Sequence, residues 1–177
     1  MAFATASLSF MSAMAIGWPA NYEGVMLQGF SWDSYKDTKW TNLESQADEL
    51  SQSFKLIWVP NSGNCGNSNN MGYMPQYWFT NHNSSFGTEA ELRSMINTFK
   101  EKGTGIIADV VINHRNGVTN WTDFPAEEWN GKTWHIGTDG ICCTDEVKNA
   151  SGQATPTGAA DTGEDFNGAR DLDHTNA

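Results

Sequence analysis

Three near-continuous apolar runs alternate with two helical patterns, and this order limits the chain more than any other feature. The runs are "VMLQGFS" (25–31), "FKLIWVP" (54–60) and "GIIADVVI" (105–112). Apolar runs without clean alternation read as strands covered on both faces. Between the first two lies "TNLESQADELSQ", opening at Thr41 with Glu44 three residues on, the spacing of a capping box. Its Leu43, Ala47 and Leu50 share one helical face. Between the second and third lies "TEAELRSMINTFKEKG", with Thr88 and Glu91 at the same spacing. Leu92, Met95, Ile96 and Phe99 form its apolar stripe, and Gly103 is its stop. The order is therefore two consecutive βαβ units, which cross over right-handed into a parallel sheet. A doubly wound sheet and a (β/α)8 barrel both satisfy it. No G-x-G-x-x-G follows the first run, which counts against a dinucleotide fold.

Two segments stand outside this alternation. "NSGNCGNSNNMGYMPQ" (61–76) is long, rich in Gly and Asn, and follows the second run. In either architecture that end of a strand carries the ligand site. Residues 113–177 show no sustained period and are rich in Gly, Asp, Asn and Thr. They read as a loop-built excursion after the third strand, long enough to be a small subdomain.

Charge narrows the partners. Among 177 residues, 21 are acidic and 10 basic, a formal net charge of −11 with no dense Lys/Arg cluster. Nucleic acid and anionic membrane surfaces are disfavoured, because both need a basic footprint. A neutral substrate or a hard cation suits the balance better. Cys65, Cys142 and Cys143 lack zinc spacing and are expected as free or buried thiols. The start carries Ala13-Met14-Ala15, an A-x-A cleavage pattern, but no positively charged lead. Residues 1–15 are read as part of an export signal, which places the protein in a secreted or periplasmic setting.

Three constellations could carry chemistry. Asn113 and His114 end the third run, where a parallel strand meets its ligand. "DTGEDFNGARDLDH" (161–174) crowds Asp161, Glu164, Asp165, Asp171 and Asp173 together, with Asp145 upstream. Crowded carboxylates repel unless a cation or solvent relieves them. The stretch does not fit an EF-hand, so a Ca²⁺ site here must be assembled from separated positions. Finally, Trp32, Tyr73, Tyr77, Trp78 and Phe79 flank the first two strand ends, and flat apolar rings beside polar groups suit sugars. A polar strand cap, a solvated acidic loop and ordinary core packing are the competing explanations of the three.

Taken together, "LQGFSWDSY", "GYMP", "FGTEAELRSMI" and "ADVVINHR", in order and at suitable spacing, resemble the α-amylase superfamily, glycoside hydrolase family 13. "DTGEDF" followed by "ARDLDH" resembles the calcium-binding domain inserted after the third strand of plant-type members. The resemblance implies a partial (β/α)8 TIM barrel of three strands over residues 16–112, with an irregular calcium-binding inserted domain over 113–177. It implies endo-hydrolysis of α-1,4-glucosidic bonds in starch or related α-glucans with retention, and a monomer when full length. His114 matches a histidine that hydrogen-bonds the sugar, Tyr73 an aromatic that stacks on it, and Asp109 a buried supporting acid. Asn113, Asp161, the Glu164 carbonyl and Asp171 match ligands of one calcium. Asp145, Asp165, the Phe166 and Ala169 carbonyls and again Asp171 match a second. The family's catalytic Asp, Glu and Asp belong to later strands, and no residue up to Ala177 matches them. The chain alone is therefore expected to be inactive. The rival readings are a non-catalytic glucan-binding protein and a calcium-stabilised structural fragment.

Overall fold

The computed structural model describes residues 22–67, 69–149 and 154–176. The export expectation on residues 1–15 lies outside them. Three strands form a parallel sheet in the order β1-β2-β3: β1 Met26–Gln28, β2 Leu56–Val59 and β3 Gly105–Ala108. Met26 pairs with Leu56, and Leu56 with Gly105. Sequential order excludes the 2-1-3 opening of a flavodoxin-like sheet and is what a barrel requires.

The strands are shorter than the apolar runs. The β2–β3 ladder closes with Asp109 N bonded to Val59 O at 3.1 Å, and Pro60, the next residue, has no N–H to donate on the opposite side, which faces β1. Residues 109–112 leave the sheet, and Val110 and Ile112 are 68% and 60% exposed. Coverage on both faces, expected for all three runs, holds only for the central β2; β1 and β3 are largely half-buried or exposed.

The two helical patterns behave differently. The second forms α3, Glu89–Glu101, with its capping box intact: Thr88 N donates to Glu91 Oε2 at 2.7 Å and Glu91 N to Thr88 Oγ1 at 3.3 Å. Gly103, at φ +77°, takes the left-handed turn that ends it. The first pattern splits into α1, Trp40–Ser45, and α2, Ala47–Ser53, at Gln46. Its expected capping box does not form. The helix starts two residues early, at Trp40 with Lys39 as its N-cap, which puts Thr41 inside the first turn. Glu44 instead accepts hydroxyl hydrogen bonds from Ser94 and Thr98 of α3, both at 2.7 Å. A tertiary contact has taken the carboxylate that local capping would have used.

Both helical faces meet the sheet in one core. Trp40, Leu43, Ala47, Ile57, Val59, Met71, Phe86, Leu92, Met95 and Phe99 are all buried in it. A second, smaller core joins Phe124, Ile141 and Leu172. It belongs to the late segment, which is built from β4 (His114–Arg115) paired antiparallel with β7 (Arg170–Asp171), and the hairpin of β5 (Glu127–Trp129) and β6 (Lys132–Trp134). Cys65 and Cys142 are buried, and Cys143 is exposed. Among the described residues, no helix is long and apolar enough to cross a membrane.

A buried ion pair fastens the late segment to the loop after β2. Arg115 and Glu127, each 1% exposed, meet at 2.7 Å. The Glu127 carboxylate also accepts the backbone N–H groups of Trp78, Phe79 and Thr80 and the Thr80 hydroxyl. Arg115 donates to the Gln76 and Pro125 carbonyls and lies 5.0 Å from the Trp78 ring centre. Burial alone would push the Glu127 carboxyl up, but the three amides and Arg115 outweigh it and hold it below its ordinary range.

Two predictions follow from these contacts. Thr88→Ala removes a working cap and should cost about 1 kcal/mol in urea unfolding, whereas Thr41→Ala, inside a helix, should be neutral to slightly stabilising. Glu127→Gln strands a buried guanidinium and should cost about 3–5 kcal/mol at neutral pH. Because the folded pKa of Glu127 is depressed, its contribution is present above the ordinary value of 4.5 and lost as pH falls through the lower folded value. The gap between wild type and variant should therefore close on the acid side, as followed by unfolding across pH.

Candidate functional site

The chain beyond β3 runs beside the loop beyond β2, and their contacts assemble the site. His114 Nε2 lies 2.7 Å from Tyr73 O, Asn116 N donates to Pro75 O at 3.0 Å, and Gln76 Nε2 donates to Gly117 O at 2.7 Å. Gly72 makes the turn that delivers Tyr73. It sits at φ +97°, and a Cβ there would lie 2.6 Å from Asn61 O, so no larger residue fits. The Tyr73 ring stacks on Trp32, with centroids 6.0 Å apart and planes at 13°. Trp32 is 76% exposed. The Tyr73 hydroxyl reaches Asp109 Oδ2 at 3.4 Å. Burial first, and the Asp109 charge second, raise the Tyr73 phenol above its ordinary value, so it remains a donor at neutral pH.

These residues make an open face at the sheet's C-terminal end, with two coplanar rings, a carboxylate and an imidazole. A cavity of about 380 Å³ lies beside it, lined among others by Asn61, Trp78, Phe79, His82 and Asp109. A shallower one of about 330 Å³ is lined by Trp32, Asn70, Tyr73 and Met74. Asp109 was expected as a buried acid; it is only partly buried, because β3 ends at Ala108 and Asp109 already stands on the rim.

Asn113 and His114 diverge as neighbours on an extended chain must. While His114 turns to Tyr73, Asn113 Nδ2 donates to Asp171 Oδ1 at 2.9 Å. Asp171 belongs to a tight carboxylate group with Asp145 and Glu146, each offering an oxygen within 4.8 Å of the others. Arg170 pairs with Asp145 at 2.7 Å, and Asp171 N donates to Asp145 Oδ1 at 3.1 Å. Among the described residues, the ion pair seen within this group is that of Arg170 with Asp145. Burial, then the charges of Glu146, Asp145 and Asp161, push Asp171 up to about 6.

The other acidic candidates are placed differently. Asp161 is tied to Thr144, whose hydroxyl donates to it at 2.7 Å. Glu164 and Asp165 are exposed and outside the three-carboxylate group. Ala169 is fully buried, and Phe166 N donates to Glu146 Oε2 at 3.2 Å. Sequence reasoning missed Glu146, although its position next to Asp145 was a usable signal. It also missed Arg170 as the counter-charge, for which no local pattern exists.

No family model matches the chain. It is 31% identical over 156 residues to probable alpha-amylase 2 of Arabidopsis thaliana, covering 85% of this chain and 34% of that protein. It is 29% identical over 160 residues to alpha-amylase 3, chloroplastic, of the same plant, covering 85% and 16%. The solved structure of wild-type alpha-amylase I from Eisenia fetida superposes with a TM-score of 0.53 at 21% identity, over 86% of this chain and 32% of that one. That likeness makes the three-stranded parallel sheet a part of an α-amylase-type barrel. The chain spans about a third or less of the length of these relatives. With its rim residues, sheet order and similarity pointing the same way, the chain belongs to the α-amylase superfamily, glycoside hydrolase family 13.

Proposed function

We propose that these residues form the sugar-contacting and calcium-holding part of an α-amylase that hydrolyses internal α-1,4-glucosidic bonds of starch-like glucans with retention. The observation that carries this reading is the rim itself: Tyr73 stacked on exposed Trp32, with Asp109 and His114 in contact with the tyrosine. A pyranose ring offers C–H groups to the aromatic faces and hydroxyls to the carboxylate and imidazole. In this reading Tyr73 stacks on the sugar, His114 accepts from a hydroxyl at Nδ1 while its Nε2–H is held by the Tyr73 carbonyl, and Asp109 orients the Tyr73 phenol. No nucleophile or acid is assigned within 1–177. A retaining mechanism uses two carboxylates about 5 Å apart on either side of the bond. The converging carboxylates here are taken up with one another and Arg170. The protein is read as exported, from the pattern at residues 13–15.

The carboxylate group fits a hard cation. Three carboxylates against one guanidinium leave net negative charge in a buried setting, and Asp171 carries the strain as a raised pKa. Asp145, Glu146 and Asp171 would hold Ca²⁺, with Asn113, Asp161, Glu164, Asp165, Phe166 and Ala169 as the further ligands that the family likeness suggests. The ion would supply charge neutralisation and a cross-link between Asn113 and the late segment, and no chemistry on the substrate.

Maltoheptaose should bind the chain by titration calorimetry without being cleaved, and Tyr73→Ala or His114→Ala should weaken binding roughly tenfold or more. Undiminished binding in both variants would remove the support for this site. Turnover that disappears on mutating a residue within 1–177 would overturn the division of labour.

Calcium should raise Tm well beyond an equal concentration of magnesium, by about 2.7 kcal/mol of stability at 100 times Kd. Asp171→Asn separates the two contributions. The folded pKa of Asp171 is raised to about 6, so its favourable term is present below 3.8 and lost as pH rises through about 6. With a chelator at neutral pH, the variant should therefore be more stable than wild type; with saturating calcium, it should be less stable. Thermal unfolding under both conditions checks the crossing.

A further inference from the structure

Phe166 stands where the carboxylate group and the sugar-facing rim meet. Its backbone N–H donates to Glu146 Oε2 at 3.2 Å. Its ring stacks on the His114 imidazole, with centroids 4.4 Å apart and planes at 30°. His114 in turn holds the Tyr73 carbonyl through Nε2 at 2.7 Å. Three contacts thus lead from one of the converging carboxylates to the aromatic at the rim.

The backbone ladder alone does not fix this arrangement. His114 pairs with Asp171 between β4 and β7, which sets where its Cα lies. The side chain still has two torsions, and a single hydrogen bond at Nε2 leaves the ring plane free to turn. A phenyl face at stacking distance removes that freedom. Phe166 is not a core residue in the ordinary sense, for it is only half-buried and belongs to neither apolar cluster. Its ring lies against Gly168, where a Cβ would come within 2.4 Å of it, so the ring can occupy this place only beside a glycine. A half-buried ring held in one place against an imidazole is poorly explained by burial alone.

We infer that Phe166 is a positioning residue: its ring sets the plane of the His114 imidazole, and the grip of Glu146 on its backbone makes that plane respond to a divalent cation in the carboxylate group. The consequence for sugar binding rests on the α-glucan reading above; the positioning itself does not. The rim and the metal-type cluster are then linked through a side chain, and a change in one is felt at the other.

The test uses the 177-residue chain, with Phe166→Leu and Phe166→Tyr, at one fixed pH. The His114 ring resonances are assigned by their loss in His114→Gln. In wild type they should lie upfield from ring current, show cross-relaxation to the Phe166 ring, and move when calcium chloride is added. Phe166→Leu should lose the upfield shift and the calcium response; Phe166→Tyr should keep both. Absence of the cross-relaxation in wild type overturns the inference without recourse to any variant. A calcium response of His114 that survives in Phe166→Leu overturns it as well. Maltoheptaose affinity should fall roughly threefold to tenfold in Phe166→Leu, the range an aromatic contact is worth, and recover in Phe166→Tyr. If wild type shows the expected resonances but binds no maltoheptaose, the glucan reading fails and the positioning stands. If wild type binds and Phe166→Leu binds equally well, the consequence drawn for the sugar site is wrong.

Discussion

The Arg115–Glu127 pair is the contact on which the arrangement of the two halves depends. Its charges are taken out of water, which is costly, and mutual attraction alone seldom offsets that cost. What makes it favourable here is the remaining hydrogen bonding: Glu127 satisfies three successive backbone amides, and Arg115 two carbonyls besides the carboxylate. Those amides belong to residues 78–80, a stretch without a strand or helix to pair it. The loop after β2 therefore borrows its backbone partners from the late segment. Since the same loop contains the turn at Gly72, the place of Tyr73 is tied to a charge pair formed elsewhere.

Two further regions adjoin β4: the aromatic rim at Tyr73 and the carboxylate group of Asp145, Glu146 and Asp171. Asn113 and His114 divide them, because successive side chains on extended chain point apart. The arrangement keeps an electrostatically crowded region a residue away from the rim proposed to take a neutral glucan. Arg170 and Asn113 partly neutralise or hydrogen-bond the crowding without reaching the rim.

How far the sequence foretold this differs from residue to residue. The α3 box was legible because Thr88, Glu91 and the stripe Leu92, Met95, Phe99 all agree locally. The same spacing at Thr41 and Glu44 misled, since Glu44 found hydroxyls on another helix, and no local rule reports that. The apolar run at 105–112 overstated its strand because pairing with β2 ends at Ala108 and the chain then leaves the sheet, with Val110 and Ile112 exposed. His114 and Tyr73 were legible through motif likeness, and they do touch. Glu127, Arg170 and the Phe166 ring act across 12, 25 and 52 residues of chain, and nothing in their own neighbourhoods announces the partner.

Pro60 has a further consequence. On the side facing β1, where Gly29 N bonds to Trp58 O at 2.8 Å, the next position of β2 is Pro60, so the β1–β2 ladder ends at a covalent property of one residue, not at a contact made by the following loop. Residues inserted into or removed from the 61–87 connection cannot therefore lengthen the pairing of β2 with β1. The phase of these two strands is insulated from the history of the loops above them. The depth and reach of the rim can drift over evolutionary time while the floor beneath it keeps its alignment.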